Sequence, residues 1–283
     1  MVLEQLYPVE FLKEHPKYAF ILSFALTIFG MFFAMMVFPQ DPALVIVAVA
    51  STLLVPSLYQ FTSFQEEIHG RFESLINLKE WIRANKQLYK VYMYMFFGSF
   101  FVFAIFAMIL PTLAANEIFK QQLAVLTGGA TFSFGLFWSL FSHNMQVLML
   151  CFLVSVIAGN GSIYLIIWNA SVWGTIFGNL AKTTAVNLSA NTAIIFLLVM
   201  LSVFPHVLLE MSSYVIAVMS GTVISNALAR EKLVSRRFGR ILLLNTGVLL
   251  VAILVLFVAM LVETYVLNNF TTYQTIIQLS FGG

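Results

Sequence analysis

The chain has 283 residues, of which 61 % are hydrophobic and 9 % charged, and its formal net charge is +2. Soluble domains carry about a quarter charged residues, so this composition excludes a soluble globular protein and specifies an integral membrane protein. The slight positive charge makes no case for nucleic acid, because the basic residues lie beside apolar runs where membrane topology already explains them.

The first apolar run, 18–38, is close to the roughly 20 residues a helix needs to cross a bilayer core. It ends in FPQDP (38–42) without a small-residue cleavage site, so it reads as a retained span and not a signal peptide. A second span follows at about 43–64. Both runs are continuous and do not alternate, which predicts helices and not barrel strands. Together, residues 1–65 read as an N-terminal two-helix hairpin.

Residues 66–90, EEIHGRFESLINLKEWIRANKQLYK, are the polar centre of the chain. Phe72, Leu75, Ile76 and Ile82 recur at helical spacing among Arg71, Lys79, Arg83, Lys86 and Lys90. The pattern suits a helix lying in the membrane interface or a solvated connecting helix. Its basic residues place it, and with it the N-terminus, in the cytoplasm. The remainder, 91–283, reads as a transmembrane domain. It contains a second basic cluster, REKLVSRRFGR (230–240), expected on the same side, and a last span at about 241–267.

Two cytoplasmic anchors require an even number of crossings between residues 90 and 230. The candidate segments are 91–113, 123–141, 144–159, 161–180, 190–204 and 206–229. If the Gly-rich 123–141 stays outside, one short segment, 144–159 or 190–204, must dip in and return. The expected fold class is therefore all-α, a polytopic transmembrane bundle with short broken or re-entrant helices.

Ionisable residues are rare inside these runs. Between Lys182 and Arg230 there are only His206 and Glu210, one helical turn apart in FPHVLLEMSSYV (204–215). Pro205 is expected at the first turn of a new helix, where its missing N–H costs nothing. His206 and Glu210 share a face as i and i+4 and can pair. Below them Ser213, Ala217, Gly221, Ser225 and Ala229 form a ridge of small side chains, which turns the pair toward the bundle interior. Ala170, Gly174 and Gly178 form a second such ridge. Asn144 and Asn169 need partners in hydrocarbon, and Asn160-Gly161 is an expected helix break that exposes backbone groups.

Cys151 is the only cysteine and lies mid-span, so it offers neither a disulfide framework nor a thiolate metal site. HExxH is absent, Asp41 is the only aspartate, and no GxxxxGK[ST] loop occurs. One His and one Glu make half a metal site at most, and His143 joins them only if its segment folds beside His206. The reading is non-enzymatic, with no cofactor and no metal.

The stretch FSHNMQVLMLCFLVSVIAGNGSIYLIIWNASVWG (141–174), followed by FPHVLLE (204–210), resembles the stage II sporulation protein M family of membrane proteins. The matching features are the Phe and Asn of 141–144, Gly159, the arrangement of Asn169, Ala170 and Gly174, and the Pro-His-x-x-x-Glu segment. The resemblance covers roughly 91–270. The chain departs from it in having Asn169-Ala170 where Asn-Gly is common, and Pro205-His206-Val207 where Pro-His-Gly is common. The resemblance implies a membrane anchor or scaffold for a membrane or extracytoplasmic protein partner, as in sporulation. The same residues read from chemistry alone leave open a transporter or channel using His206 and Glu210, and self-association through the small ridges.

Overall fold

The computed structural model describes residues 9–40, 42–69, 78–124 and 134–281. Every regular element among them is helical, with no strand. In chain order they are α1 (Val9–Glu14), α2 (Tyr18–Val37), α3 (Pro42–His69), α4 (Leu78–Ile109), α5 (Thr112–Ile118), α6 (Lys120–Ala124) and α7 (Phe134–Ala158). A 3-10 turn, Gly159–Ser162, leads to α8 (Ile163–Leu188), α9 (Thr192–Arg230), α10 (Arg236–Asn269) and α11 (Thr271–Phe281). Six stretches are long and apolar enough to cross a membrane, one of them the broken pair α7–α8. The protein is a multi-pass membrane protein. Outward-facing Phe29, Met36, Leu201, Leu243, Leu250 and Leu254 form the apolar exterior such a bundle turns to lipid.

Several sequence expectations change here. The segments 190–204 and 206–229 are one helix, α9, and Pro205 lies inside it. The true start of α9 is Asn191, whose side chain accepts a hydrogen bond from the Ala193 N–H at 2.9 Å. Asn is a preferred N-cap, whereas Pro205 follows Phe204, which cannot cap. Neighbouring helices along α9 then hold the proline in a continuous helix. The segment 144–159 is likewise no short dip, because α7 begins ten residues earlier. The break expected at Asn160-Gly161 is present, and Gly159 carries it with φ +54, a conformation that favours glycine.

Between residues 90 and 230 the described long helices are α4, α7, α8 and α9. At about 1.5 Å per residue each is long enough to span, and four crossings satisfy the even-number requirement. The Gly-rich part of 123–141 falls mostly at 125–133, outside the described residues. The connector 66–90 is not a separate helix in its described parts: α3 runs on to His69, and residues 78–90 are the first turns of α4. Trp81, Asn85 and Leu88 there are buried while Ile82 is exposed. Residues 70–77, with Phe72, Leu75 and Ile76, lie outside the described residues.

Small residues set the helix contacts. Gly178 lies against α4, where an added Cβ would come 2.5 Å from the Ala104 carbonyl and 2.9 Å from the Ala107 Cβ. Gly174, one turn earlier, meets the Phe100 carbonyl and the Phe103 Cβ in the same way. Lys182, a turn later, donates to the Leu110 carbonyl at the end of α4, which satisfies a carbonyl that has no helical partner. On the other flank of α4, Ser23 and Thr27 of α2 bond Ser99 at 2.7 and 2.8 Å, and Ser23 also donates to the Met95 carbonyl at 2.6 Å. The N-terminal hairpin is thereby stitched to α4.

Gly221 serves α9 as Gly178 serves α8. A Cβ there would lie 2.6 Å from the Phe152 carbonyl of α7 and would collide with Ser155. Ser213 and Ala217 are buried on the same ridge, Ser225 is half-buried, and Ala229 is exposed where the ridge runs out. The glycines of both ridges are thus occupied within one chain.

Gly178→Leu is expected to cost about 1–3 kcal/mol or more through overpacking, visible as a lower melting temperature in detergent. Gly247→Leu, with nothing within 4 Å of its Cβ position, should stay within about 0.5 kcal/mol of wild type. Pro205→Ala restores an N–H toward the Leu201 carbonyl and should raise the melting temperature, since proline costs about 3 kcal/mol in a helix interior.

Candidate intramembrane polar site

The buried polar groups converge where α9 packs against α7 and α10. Glu210 is buried at 5 % exposure, and Tyr214, one turn on, is completely buried. The Tyr214 phenol oxygen lies 2.8 Å from Glu210 Oε1 and 3.0 Å from Asn144 Oδ1 of α7. Asn144 Nδ2 in turn donates to the Met260 sulfur of α10 at 3.0 Å. One connected set of side chains therefore ties three helices together. Ser220 of α9 adds a bond to the Asn245 carbonyl of α10 at 2.8 Å, and Ser212 one to Tyr89 of α4 at 2.6 Å.

A second carboxyl belongs to this place. Glu263 of α10 lies near Glu210, and its Oε2 is enclosed with no hydrogen-bond partner. Tyr273 of α11, also buried, lies within electrostatic reach of Glu263. The cluster thus draws on α7, α9 and α10.

His206 and Glu210 do not pair. No hydrogen bond or ion pair joins them, and the buried His206 Nδ1 has no partner. The i,i+4 geometry that permits a His206–Glu210 pair equally permits Glu210–Tyr214, and the phenol takes the carboxyl. Asn144, half-buried on α7, joins the cluster through side chains of other helices. Asn169 does not join it: its Nδ2 donates 2.8 Å to the Leu165 carbonyl of its own helix, not to the break at Gly161. His143 is exposed. Among the described residues no three of His, Cys, Asp and Glu are grouped to hold a metal ion.

The site residues missed from sequence carried signals. Glu263 is the only charged residue after Arg240, which alone marks it as a functional candidate inside a membrane span. Tyr214 stands one turn beyond Glu210 on the ridge side. Met260 gave no signal, because a thioether in an apolar helix is ordinary packing.

Tyr214→Phe removes the phenol shared by Glu210 and Asn144. It should cost about 1–3 kcal/mol, as leaving buried polar atoms unsatisfied does, measured by thermal or denaturant unfolding in detergent. Tyr265→Phe, at an exposed phenol, should leave stability unchanged.

No curated protein and no solved structure matches the chain. A family model described as Stage II sporulation protein M matches residues 93–266. That range begins in α4 and ends in α10, so it contains Asn144, His206, Glu210, Tyr214, Met260 and Glu263, and it leaves out the N-terminal hairpin. A match over more than half of the sequence, carried by the helices that build the polar cluster, makes this chain a member of the Stage II sporulation protein M family.

Proposed function

We propose that the chain is a non-enzymatic membrane anchor, a bundle that holds a membrane or extracytoplasmic protein partner at the bilayer. The observation that carries this reading is the use made of the polar cluster: Glu210 and Tyr214 are buried in α9 and bonded to each other, and half-buried Asn144 ties them to α7 and α10. Polar groups spent in this way fix a helix register. The occupied glycine ridges act in the same direction. The family name, with its reference to sporulation, agrees with an anchoring part in a larger assembly. By the positive-inside rule both basic clusters and the N-terminus face the cytoplasm, and the four long helices between the clusters agree with their lying on one side.

A second reading is transport of a small ion or solute. It is favoured by two enclosed atoms left unbonded in and beside the cluster, Glu263 Oε2 and His206 Nδ1, since a purely structural polar network satisfies its members.

The two readings part on Glu210→Gln. An anchor cross-linked in its native membrane should capture the same partner with and without this change. Reconstituted into vesicles loaded with a pH-sensitive dye, it should conduct neither protons nor monovalent cations. Flux through the wild-type protein that Glu210→Gln abolishes would replace the anchor by the transporter.

A further inference from the structure

The hydrogen-bond count at Tyr214 does not close with an ionised Glu210. A phenol has one proton to give, yet its oxygen stands at 2.8 Å from a carboxyl oxygen and 3.0 Å from an amide oxygen. An ionised carboxylate and an amide oxygen are both acceptors only. One of the two contacts would then be an approach of lone pairs, with no proton between them.

Reversing the Asn144 amide does not repair this. Its Nδ2 faces the Met260 sulfur at 3.0 Å. The reversed amide would set a carbonyl oxygen against sulfur lone pairs and lose the N–H···S bond. With the amide as placed, Asn144 Oδ1 accepts from the phenol, and the missing proton must come from Glu210.

We propose that Glu210 is a proton-binding site, holding a carboxylic-acid proton that it donates to Tyr214 in a directed chain from Glu210 to Tyr214 to Asn144 to Met260. Each link then has one donor and one acceptor. Such chains strengthen one another in a low-dielectric interior.

The groups around Glu210 agree with a proton as the neutralising species. From α10 Glu263 lies near it, from α9 it meets Tyr214, and Cys151 is the titratable group that α7 brings near Tyr214. Tyr273 of α11 faces Glu263. None of these is a cation, and His206 forms no ion pair with Glu210. An uncompensated carboxylate in this position would be costly to bury, whereas the acid is neutral and gives its proton to the phenol. Glu263, with an enclosed oxygen left unbonded, likewise supplies no positive charge. The inference goes beyond anchoring and does not depend on it.

The test is infrared spectroscopy of the protein in lipid bilayers at neutral pH, with 13C-labelled glutamate to identify the carbonyl stretch of a protonated carboxylic acid. The wild type should show this band. Glu210→Gln should remove the Glu210 contribution, Glu263→Gln should retain it, and Tyr214→Phe should shift it by removing the acceptor of the acid proton. Glu210→Gln keeps a donor toward the phenol and should melt at the wild-type temperature, whereas Glu210→Ala should melt lower. If Glu210→Gln does not fold, the labelled band and its shift in Tyr214→Phe still decide the matter. A wild-type spectrum without a labelled acid band, or with one insensitive to both Glu210→Gln and Tyr214→Phe, overturns the proposal.

Discussion

In hydrocarbon, two helices gain nothing by excluding water from between them, so their association depends on how closely their backbones approach. The contact of Gly174 and Gly178 with α4 is the constraint from which the rest follows. Any side chain at either position would occupy the space of the Phe100 or Ala104 carbonyl. With α8 set against α4, Lys182 reaches the end of α4, and Gln122 of α6 comes within 3.4 Å of Ser171 on α8 and of the Ala43 carbonyl on α3. The contact of Gly221 with α7 does the same on the other side of the bundle. It brings Asn144 level with Tyr214.

The bundle combines this close packing with a small number of strong polar ties. The α2–α4 seam uses the hydroxyls of Ser23, Thr27 and Ser99. The α7–α9–α10 seam uses an acid, a phenol and an amide. Hydroxyls can relay hydrogen bonds by rotation at no electrostatic cost, but a carboxyl adds a charge state to the same geometry. This makes the second seam the chemically responsive part of a protein that is otherwise an apolar frame. It also concentrates in one place the residues that separate an anchor from a transporter.

The turn at Gly159–Ser162 and the proline in α9 show how local preference and packing share control of the backbone. Gly159 takes a positive φ at a break and is followed by Asn160, both polar-loop signals. Local chemistry decides there. At Pro205 local chemistry favours a new start, yet α9 continues, because helices packed along it hold its register.

By itself the sequence determined the class, the break near Gly161, and the inward face from Ser213 to Gly221, while the number of crossings between residues 90 and 230 was left to the structure. Each rests on a local property: hydropathy, length, small-residue spacing, or a turn residue. It also located Glu210 as the polar centre of α9. Tertiary structure alone decided which partner Glu210 takes, because i,i+4 spacing serves His206 and Tyr214 equally and only the position of Asn144 on α7 selects the phenol. Glu263 stands 53 residues from Glu210 in the chain, and their meeting is set by the antiparallel return of α10. Periodicity cannot express such a distance. Asn144 and Asn169 looked equivalent as asparagines in apolar runs, yet one ties helices together and the other bonds its own backbone. That difference comes from what the neighbouring helix offers, a property no single helix contains.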